Sequence, residues 1–240
     1  MNALLDRLFP TGHTVAFDGH NLSGHAASAA GRVHVIGTRD RAALTTDMAL
    51  KLSQAVLDAV RADQASGDPR PIVFIASTQG QALSRHEELL GLNGYFAHMA
   101  RCVDLARRSG HRLVTLIHGE AVSGGFLAFG LLADRICALP EAQVKVMDLR
   151  AMARVTKIAP ERLEALAQTS PVFAPGADNY ARMGAIHALW SDTDDWPQAL
   201  RQAIDEAGGE DRRAELGRER GGRTLAQPVA ERVAGVPLGA

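Results

Sequence analysis

The stretch LVTLIHGEAVSGGFLAFGLLADR, which runs from Leu113 to Arg135, decides the fold of this chain. Its first five residues, Leu113 to Ile117, are apolar and include three β-branched side chains, a pattern that predicts a buried strand. The residues that follow include Gly119, Gly124 and Gly125. Because glycine has no Cβ, the backbone of such a turn can approach a bound ligand closely. The stretch therefore predicts a strand that ends in a glycine-rich turn.

A helix is predicted directly after this turn, because the apolar residues from Phe126 to Leu132 recur at helical spacing. A strand that leads through a turn into a helix directs unpaired backbone N–H groups at whatever lies over the turn. Such a corner is a candidate oxyanion site, which polarises a carbonyl group without a metal ion. Glycines after a strand are also typical of a turn that only allows close packing of a helix on a strand. Both interpretations stay open.

The composition is that of an ordinary globular protein, since 46% of the 240 residues are hydrophobic, 22% are charged and the net charge is −1. This charge shows no bias toward nucleic acid or an anionic membrane. No apolar run reaches the roughly 18 residues of a transmembrane helix, and the N-terminus does not resemble a signal peptide. Cys102 and Cys137 form no C-x-x-C pair, so neither a zinc ribbon nor a disulfide framework is expected. We expect a cytoplasmic protein.

Predicted strands alternate with predicted helices across residues 33–147, and the chain after residue 147 is mainly helical. This alternation implies an α/β fold with a mostly parallel sheet and right-handed crossovers. We expect one domain over residues 1–207 and a helical or flexible tail over residues 208–240.

The first strands and the first long helix are expected before residue 62. Strands are predicted at Thr14–Phe17 and Val33–Ile36, with Asn21 and Gly24 among the bends between them. A helix is predicted from Asp40 to Arg61 because its apolar residues recur at helical spacing.

A second polar turn follows the buried strand predicted at Ile72–Ala76. Its residues are Ser77-Thr78-Gln79-Gly80, and the first turn corresponds to residues 120–125. In a parallel sheet the carboxyl ends of the strands lie at one edge, which is where ligands bind. We therefore expect both turns to open on the same side of the sheet.

These two segments resemble the carboxyltransferase branch of the crotonase-like superfamily. The run IHGEAVSGGFLAFG, residues 117–130, is similar to the branch's I-G-E-x-x-S-G-G-A-L-A-x-G. The run FIASTQGQALSRHEE, residues 74–88, is similar to its D-T-P-G-x-x-x-G-x-x-x-E turn, with Ala-Ser-Thr-Gln in place of the acid and proline. The runs TSPVFAPG, residues 169–176, and NYARMGAI, residues 179–186, most resemble the γ subunits of biotin-independent malonate decarboxylases. The resemblance covers about residues 10–205.

The resemblance implies a crotonase-like fold and a carboxy-lyase reaction. In such enzymes a malonyl thioester carried by an acyl carrier protein loses CO₂ and becomes an acetyl thioester. The phosphopantetheine-derived arm belongs to the carrier, and no cofactor or metal ion is expected on this chain. The enolate oxygen that develops during decarboxylation needs fixed hydrogen-bond donors.

The same resemblance implies roles for residues of the first turn. The backbone N–H of Gly124 is the expected oxyanion donor, with Gly125 beside it. Ser123 either orients the substrate carboxylate or only caps the helix, and the sequence does not distinguish these roles.

Roles are also implied for the second turn and for one acidic residue. The candidate substrate-binding residues are Ser77, Thr78, Gln79, Gly80 and Glu120. The turn either binds the thioester or carboxylate, or only packs on the neighbouring strand. Glu120 is expected to brace its turn through backbone N–H groups rather than to act as an acid or base.

The expected partners follow from the same family. A homologous β subunit would complete the active site, so the γ chain alone should have little activity. An acyl carrier protein and an acyl-carrier transferase subunit are the other expected partners, and neither nucleic acid nor a membrane is expected.

Four alternatives remain. A biotin-dependent carboxyltransferase would have the same turns, and a non-catalytic assembly subunit would have the same fold. A serine hydrolase would use Ser123 as nucleophile, but Ala121 occupies the first glycine position of G-x-S-x-G. A hydratase usually needs paired carboxylates, and only Glu87, Glu88 and Glu120 lie near the turns.

Overall fold

A computed structural model describes residues 1–169 and 174–235, without the side chain at position 169. The TSPVFAPG motif therefore lies partly outside the described residues. In the described part, nine strands are present: β1 Ala16–Asp18, β2 Asn21–Ser28, β3 Gly31–Thr38, β4 Ala42–Leu44, β5 Ile72–Gln81, β6 Leu113–Val122, β7 Arg135–Ala138, β8 Gln143–Lys145 and β9 Ala188–Leu189. The same residues form eleven α-helices: α1 Asn2–Leu8, α2 Thr46–Gln64, α3 Arg85–Leu89, α4 Leu92–Arg108, α5 Ser123–Leu127, α6 Leu149–Thr156, α7 Pro160–Thr169, α8 Ala177–Arg182, α9 Trp196–Glu206, α10 Arg213–Glu219 and α11 Ala226–Val233. A 3-10 helix spans Gly130–Leu132.

All nine strands belong to one sheet, whose main order is β1-β2-β3-β5-β6-β7-β9. Strands β1, β2 and β3 pair antiparallel. Strands β3, β5, β6, β7 and β9 pair parallel, and β4 and β8 add to the carboxyl ends of β5 and β6 in the same sense. The predicted α/β fold with a mostly parallel sheet is confirmed.

Helices cover both faces of the sheet because alternate side chains of each strand point to opposite sides. Ile72 and Phe74 of β5 join the core under α2 and α4, whereas Val73 and Ile75 join the core under α1 and α9. The central strands are buried on both faces, and this holds their carboxyl ends in fixed positions.

The expected bends at Asn21 and Gly24 are wrong, because both residues lie inside β2. The Asn21 side chain is buried and donates to the backbone oxygen of Met48 at 3.0 Å. The backbone of Thr14 and Val15 passes so close to Gly24 that a Cβ would not fit. Here glycine permits a close approach between chain segments rather than a turn.

The predicted start of the first long helix is also wrong, since α2 begins at Thr46 and not at Asp40. Asp40 and Arg41 have φ values of 63° and 53°, which a right-handed helix does not allow. The side chain of Thr45 accepts a hydrogen bond from the Met48 N–H at 3.2 Å and caps the helix.

Part of the expected tail contacts the sheet domain. Arg220 donates to the backbone oxygens of Ala181 and Ile186, both at 2.8 Å, and to that of His187 at 3.0 Å. Arg213 donates to the Leu131 oxygen at 2.8 Å. The division of the chain at residue 207 stays a prediction. Among the described helices, none combines the length and apolar character needed to cross a membrane.

Candidate active site

The two predicted turns are continuations of neighbouring strands. Strand β5 extends to Gln81 and β6 extends to Val122, each past the predicted end of the strand. Thr78 pairs with Ala121, after an irregularity in the register beyond Ala76. The glycine-bearing segments therefore lie side by side at the carboxyl edge of the sheet, as the sequence predicts.

Gly80 and Gly125 bring the two segments into direct contact. A Cβ added to Gly125 would lie 2.8 Å from the carbonyl carbon of Gly80. Gly80 has a φ of +101°, and a Cβ added there would lie 3.3 Å from the Cβ of Ser123. Close packing therefore explains why these two positions hold glycine. The packing also fixes where α5 begins relative to β5.

Ser123 is the first residue of α5 and has a φ of 50°, which is strained for a residue with a Cβ. The N-cap residue of α5 is Val122, and no side chain in the described part of the chain caps this helix. The helix-cap interpretation of Ser123 is therefore wrong. A strained serine between a strand and a helix is also the geometry of a hydrolase nucleophile. Among the described residues, however, no imidazole or carboxylate forms a hydrogen bond with its hydroxyl group.

Gly124 lies in the first turn of α5, where backbone N–H groups have no acceptor within the helix. A Cβ added to Gly124 would lie 3.3 Å from Oε1 of Gln81 and 3.7 Å from the ring of Phe96. The side-chain amide of Gln81 thus lies beside the expected oxyanion donor.

Gln81 is a site residue that the sequence did not predict. Its Oε1 atom is buried and has no hydrogen-bond partner among residues 1–169 and 174–235. An unsatisfied buried acceptor costs about 1–3 kcal/mol, so such an atom is a candidate contact for a bound water molecule or a ligand. The sequence contained one indication of this role, which is that Gln81 directly follows Gly80, the glycine of the second turn.

A groove of about 460 Å³ opens beside the two corners. It is lined by Gln79, Gln81, Leu83, Glu120, Val122, Ser123, Lys145, Val146, Met147, Asp148 and Ala151. Three predicted residues, Gln79, Glu120 and Ser123, lie in this lining. Lys145 enters it because β8 pairs with the end of β6, a long-range contact that local sequence patterns do not reveal.

Ser77 and Thr78 lie beneath the groove rather than in its wall, because both are buried. The Ser77 hydroxyl accepts from the Arg41 N–H at 3.2 Å. The Thr78 hydroxyl donates to the Ala42 oxygen at 2.8 Å and accepts from the Gly80 N–H at 3.0 Å. These hydroxyl groups hold the chain near residue 41 and the Gly80 corner in place.

Glu120 does not brace its turn in the expected way. Its Oε1 atom lies 4.0 Å from Nη1 of Arg41, and no described backbone N–H donates to it.

The imidazole of His118 lies near the end of β6, and its Nδ1 atom is 3.8 Å from Oε1 of Glu141. Burial lowers the pKa of His118 despite the opposing effect of Glu141, and this favours the neutral imidazole.

The parallel sheet with two adjoining glycine corners defines a crotonase-like, carboxyltransferase-type fold. The structure of transcarboxylase 12S with hydrolysed methylmalonyl-coenzyme A shares this fold, with a TM-score of 0.68 and 15% identity over 85% of this chain and 39% of that chain. The family model described as malonate decarboxylase gamma subunit (MdcE) matches residues 39–236. The chain therefore belongs to the malonate decarboxylase gamma subunit family. This match extends beyond the expected limit near residue 205 and includes α10 and α11.

Two relatives illustrate what the chain is similar to. The crystal structure of a Pseudomonas malonate decarboxylase hetero-tetramer in complex with coenzyme A contains a similar chain, with a TM-score of 0.80 and 26% identity, covering 97% of this chain and 96% of that one. The malonyl-S-ACP:biotin-protein carboxyltransferase MADD of Malonomonas rubra is 35% identical over 191 residues, or 73% of this chain. This chain spans 65% of the length of that relative.

Proposed function

We propose that this chain is the γ subunit of a malonate decarboxylase, which converts the malonyl thioester of an acyl carrier protein into the acetyl thioester and CO₂. The observation that carries the proposal is the contact of Gly80 with Gly125, which sets the start of α5 and Ser123 against a groove at the sheet edge. Membership of the gamma subunit family supports malonate as the origin of the acyl group.

The reaction begins with the malonyl carboxylate perpendicular to the plane of the thioester. The bond to the carboxyl carbon breaks, CO₂ leaves, and the electron pair moves into the thioester carbonyl to give an enolate. The Gly124 N–H donates to the enolate oxygen, with the Gly125 N–H beside it. One such donor stabilises the transition state by about 3 kcal/mol. The α-carbon then takes a proton from an acid or from water and becomes the methyl group of the acetyl thioester.

The polar groups of the groove orient the substrate. The Ser123 hydroxyl contacts the carboxylate, since Ser123 lines the groove and does not cap α5. Gln79 and Gln81 contact the thioester or its arm. Ser77 and Thr78 act through the Gly80 corner, since their hydroxyl groups already have partners in the protein.

The complete site needs other chains. A homologous β subunit supplies the opposite wall, in keeping with the Pseudomonas malonate decarboxylase MdcD-MdcE hetero-dimer, whose crystal structure contains a chain similar to this one. The acyl carrier protein brings the phosphopantetheine-type arm, and a transferase subunit loads it. The chain itself holds no cofactor in this proposal. The cytoplasmic location stays a prediction.

A second candidate function is transfer of the carboxyl group to protein-bound biotin rather than its release. The observation in its favour is the MADD relative, which carries that activity in its name. The two functions need the same oxyanion corner and differ only in the acceptor of CO₂.

The test measures CO₂ release from malonyl-carrier thioester by this chain alone, by its complex with the β subunit, and by the complex with added avidin. The proposal predicts release only by the complex and no effect of avidin. Loss of activity with avidin would move the assignment to the biotin-dependent enzyme. If the assembled complex releases no CO₂, the decarboxylase proposal is wrong, and a non-catalytic role of this chain in assembly becomes the better explanation.

A further inference from the structure

Helix α6 differs in its charge from the other helices of the described chain that carry exposed arginines. Its eight residues, Leu149–Thr156, contain no acidic side chain, and none of them is buried. Arg150 and Arg154 are exposed and lie four residues apart, so they share one face of α6. Lys157, which follows the last residue of the helix with a φ of 62°, is also exposed. We call these three residues the basic stripe.

Arginines on three longer helices are neutralised locally. Helices α2, α4 and α9 each pair an arginine with a carboxylate three or four residues away in the same helix. These pairs are Arg61–Asp58, Arg108–Asp104 and Arg201–Asp205. Within the described ranges, 1–169 and 174–235, the basic stripe has no ion-pair partner. Its positive charge is therefore available to another molecule.

Helix α6, which carries Arg150 and Arg154, borders the groove. Asp148 precedes α6 and Ala151 lies in its first turn, and both line the groove. Ala151 and Val155 follow Arg150 and Arg154 in the sequence. Because successive helical residues are about 100° apart around the axis, the arginines lie beside the face that carries Ala151 and Val155. Val155, one turn beyond Ala151, is 70% exposed. A molecule that binds the stripe would therefore cover both the cations and an exposed apolar side chain.

We propose that the basic stripe docks an acidic surface of the acyl carrier protein and so directs its acyl arm into the groove. The identity of this partner rests on the proposed function. A partner that delivers its substrate on a long arm must bind beside the groove entrance, and the positive charge of α6 favours a partner with an acidic surface. Charge complementarity of this kind sets the association rate and the selection of the partner.

The test compares Arg154→Glu and the double variant R150E/R154E with the wild-type complex of this chain and its β subunit. Arg32→Glu is the matched control, because Arg32 is exposed and lies at the start of β3, at the opposite edge of the sheet. Two quantities are measured: the Kd of the unloaded carrier protein, and CO₂ release from both malonyl-carrier protein and malonyl-N-acetylcysteamine.

We expect R150E/R154E to raise the Kd of the carrier and the KM for its thioester about tenfold or more, and added salt to reduce the difference. The kcat and the turnover of the small thioester should not change, and Arg32→Glu should resemble the wild type. An unchanged Kd in the double variant, or an equal loss with the small thioester, would overturn the docking proposal. If the wild-type complex releases no CO₂ from either substrate, the proposed function fails, while the Kd comparison still decides whether the stripe binds the carrier.

Discussion

Gly125 packs directly on the backbone of Gly80, so that a Cβ added to Gly125 would lie 2.8 Å from the carbonyl carbon of Gly80. The three atoms nearest to that Cβ are all backbone atoms of Gly80, which cannot move aside as a flexible side chain can. This contact joins the carboxyl end of β5 to the start of α5. The position of the candidate oxyanion donors therefore depends on two glycines that lie far apart in the sequence.

Gly125→Ala should separate the two corners and destabilise the chain by about 1–3 kcal/mol, the usual cost of an overpacked core site. Urea unfolding of the purified chain gives this difference. Gly94→Ala is the matched control, because Gly94 lies in α4 and a Cβ there meets nothing within 4 Å. That substitution should be neutral or stabilising by up to about 1 kcal/mol. Equal stability of Gly125→Ala and the wild type would contradict the packing described for this corner.

The strain at Ser123 leads to a second prediction. Glycine tolerates a φ of 50°, so Ser123→Gly should fold with a stability within about 1 kcal/mol of the wild type. Ser123→Val should be clearly less stable, because a β-branched side chain does not tolerate this conformation.

The chemical role of the Ser123 hydroxyl is tested with the same glycine variant. CO₂ release by the assembled complex should fall about tenfold or more, since the hydroxyl orients the substrate carboxylate. If the complex with Ser123→Gly releases CO₂ at the wild-type rate, the hydroxyl group does not orient the carboxylate. Labelling of the wild type by a fluorophosphonate, lost in Ser123→Ala, would instead support the hydrolase alternative.

His187 provides a pH-dependent prediction. Burial and the nearby Arg135 and Arg213 lower its pKa to about 4, and its Nδ1 accepts a hydrogen bond from the Ile136 N–H at 3.1 Å. The unfolded chain binds this proton at pH values below about 6.5, whereas the folded chain does so only near pH 4. The contribution of the neutral imidazole is therefore complete above pH 6.5 and is lost as the pH falls from 6.5 to 4.

The variant His187→Asn isolates this contribution, because asparagine also has an acceptor for the Ile136 N–H. Between pH 7 and pH 4, the wild type should lose about 2 kcal/mol more of its unfolding free energy than the variant does. Urea unfolding at several pH values measures both curves. Parallel curves for the two proteins would contradict the lowered pKa.

The sequence predicts the parallel sheet and the two glycine corners because both depend on local patterns of strand, turn and helix. It does not reveal that Ser77 and Thr78 are buried, since the irregular register after Ala76 decides which side chains face inward. Lys145 enters the groove through the pairing of β8 with β6, which no local pattern encodes, whereas Gln81 could have been inferred only from its place beside the turn glycine.

The C-terminal segment gives a prediction about domain organisation. Arg220 donates to three backbone oxygens around β9, at residues 181, 186 and 187. Arg220→Ala should destabilise the chain by about 2 kcal/mol, because hydrogen bonds from a charged donor contribute more than neutral ones and the carbonyls lose their partner. Arg223→Ala is the control, since Arg223 is exposed and forms no side-chain hydrogen bond with any described residue. An Arg220→Ala variant as stable as this control would support a boundary at residue 207.

The central claim is that the start of α5 stabilises an enolate formed from a malonyl thioester. The most direct measurement is single-turnover CO₂ release by the assembled complex carrying Gly124→Val, compared with the wild-type complex. A valine side chain would project beside the Gln81 amide and shield the Gly124 N–H from the substrate. We predict that the complex still assembles and that the rate falls about 10²–10³-fold, the usual effect of losing one oxyanion donor. An assembled Gly124→Val complex that releases CO₂ at the wild-type rate would contradict the claim.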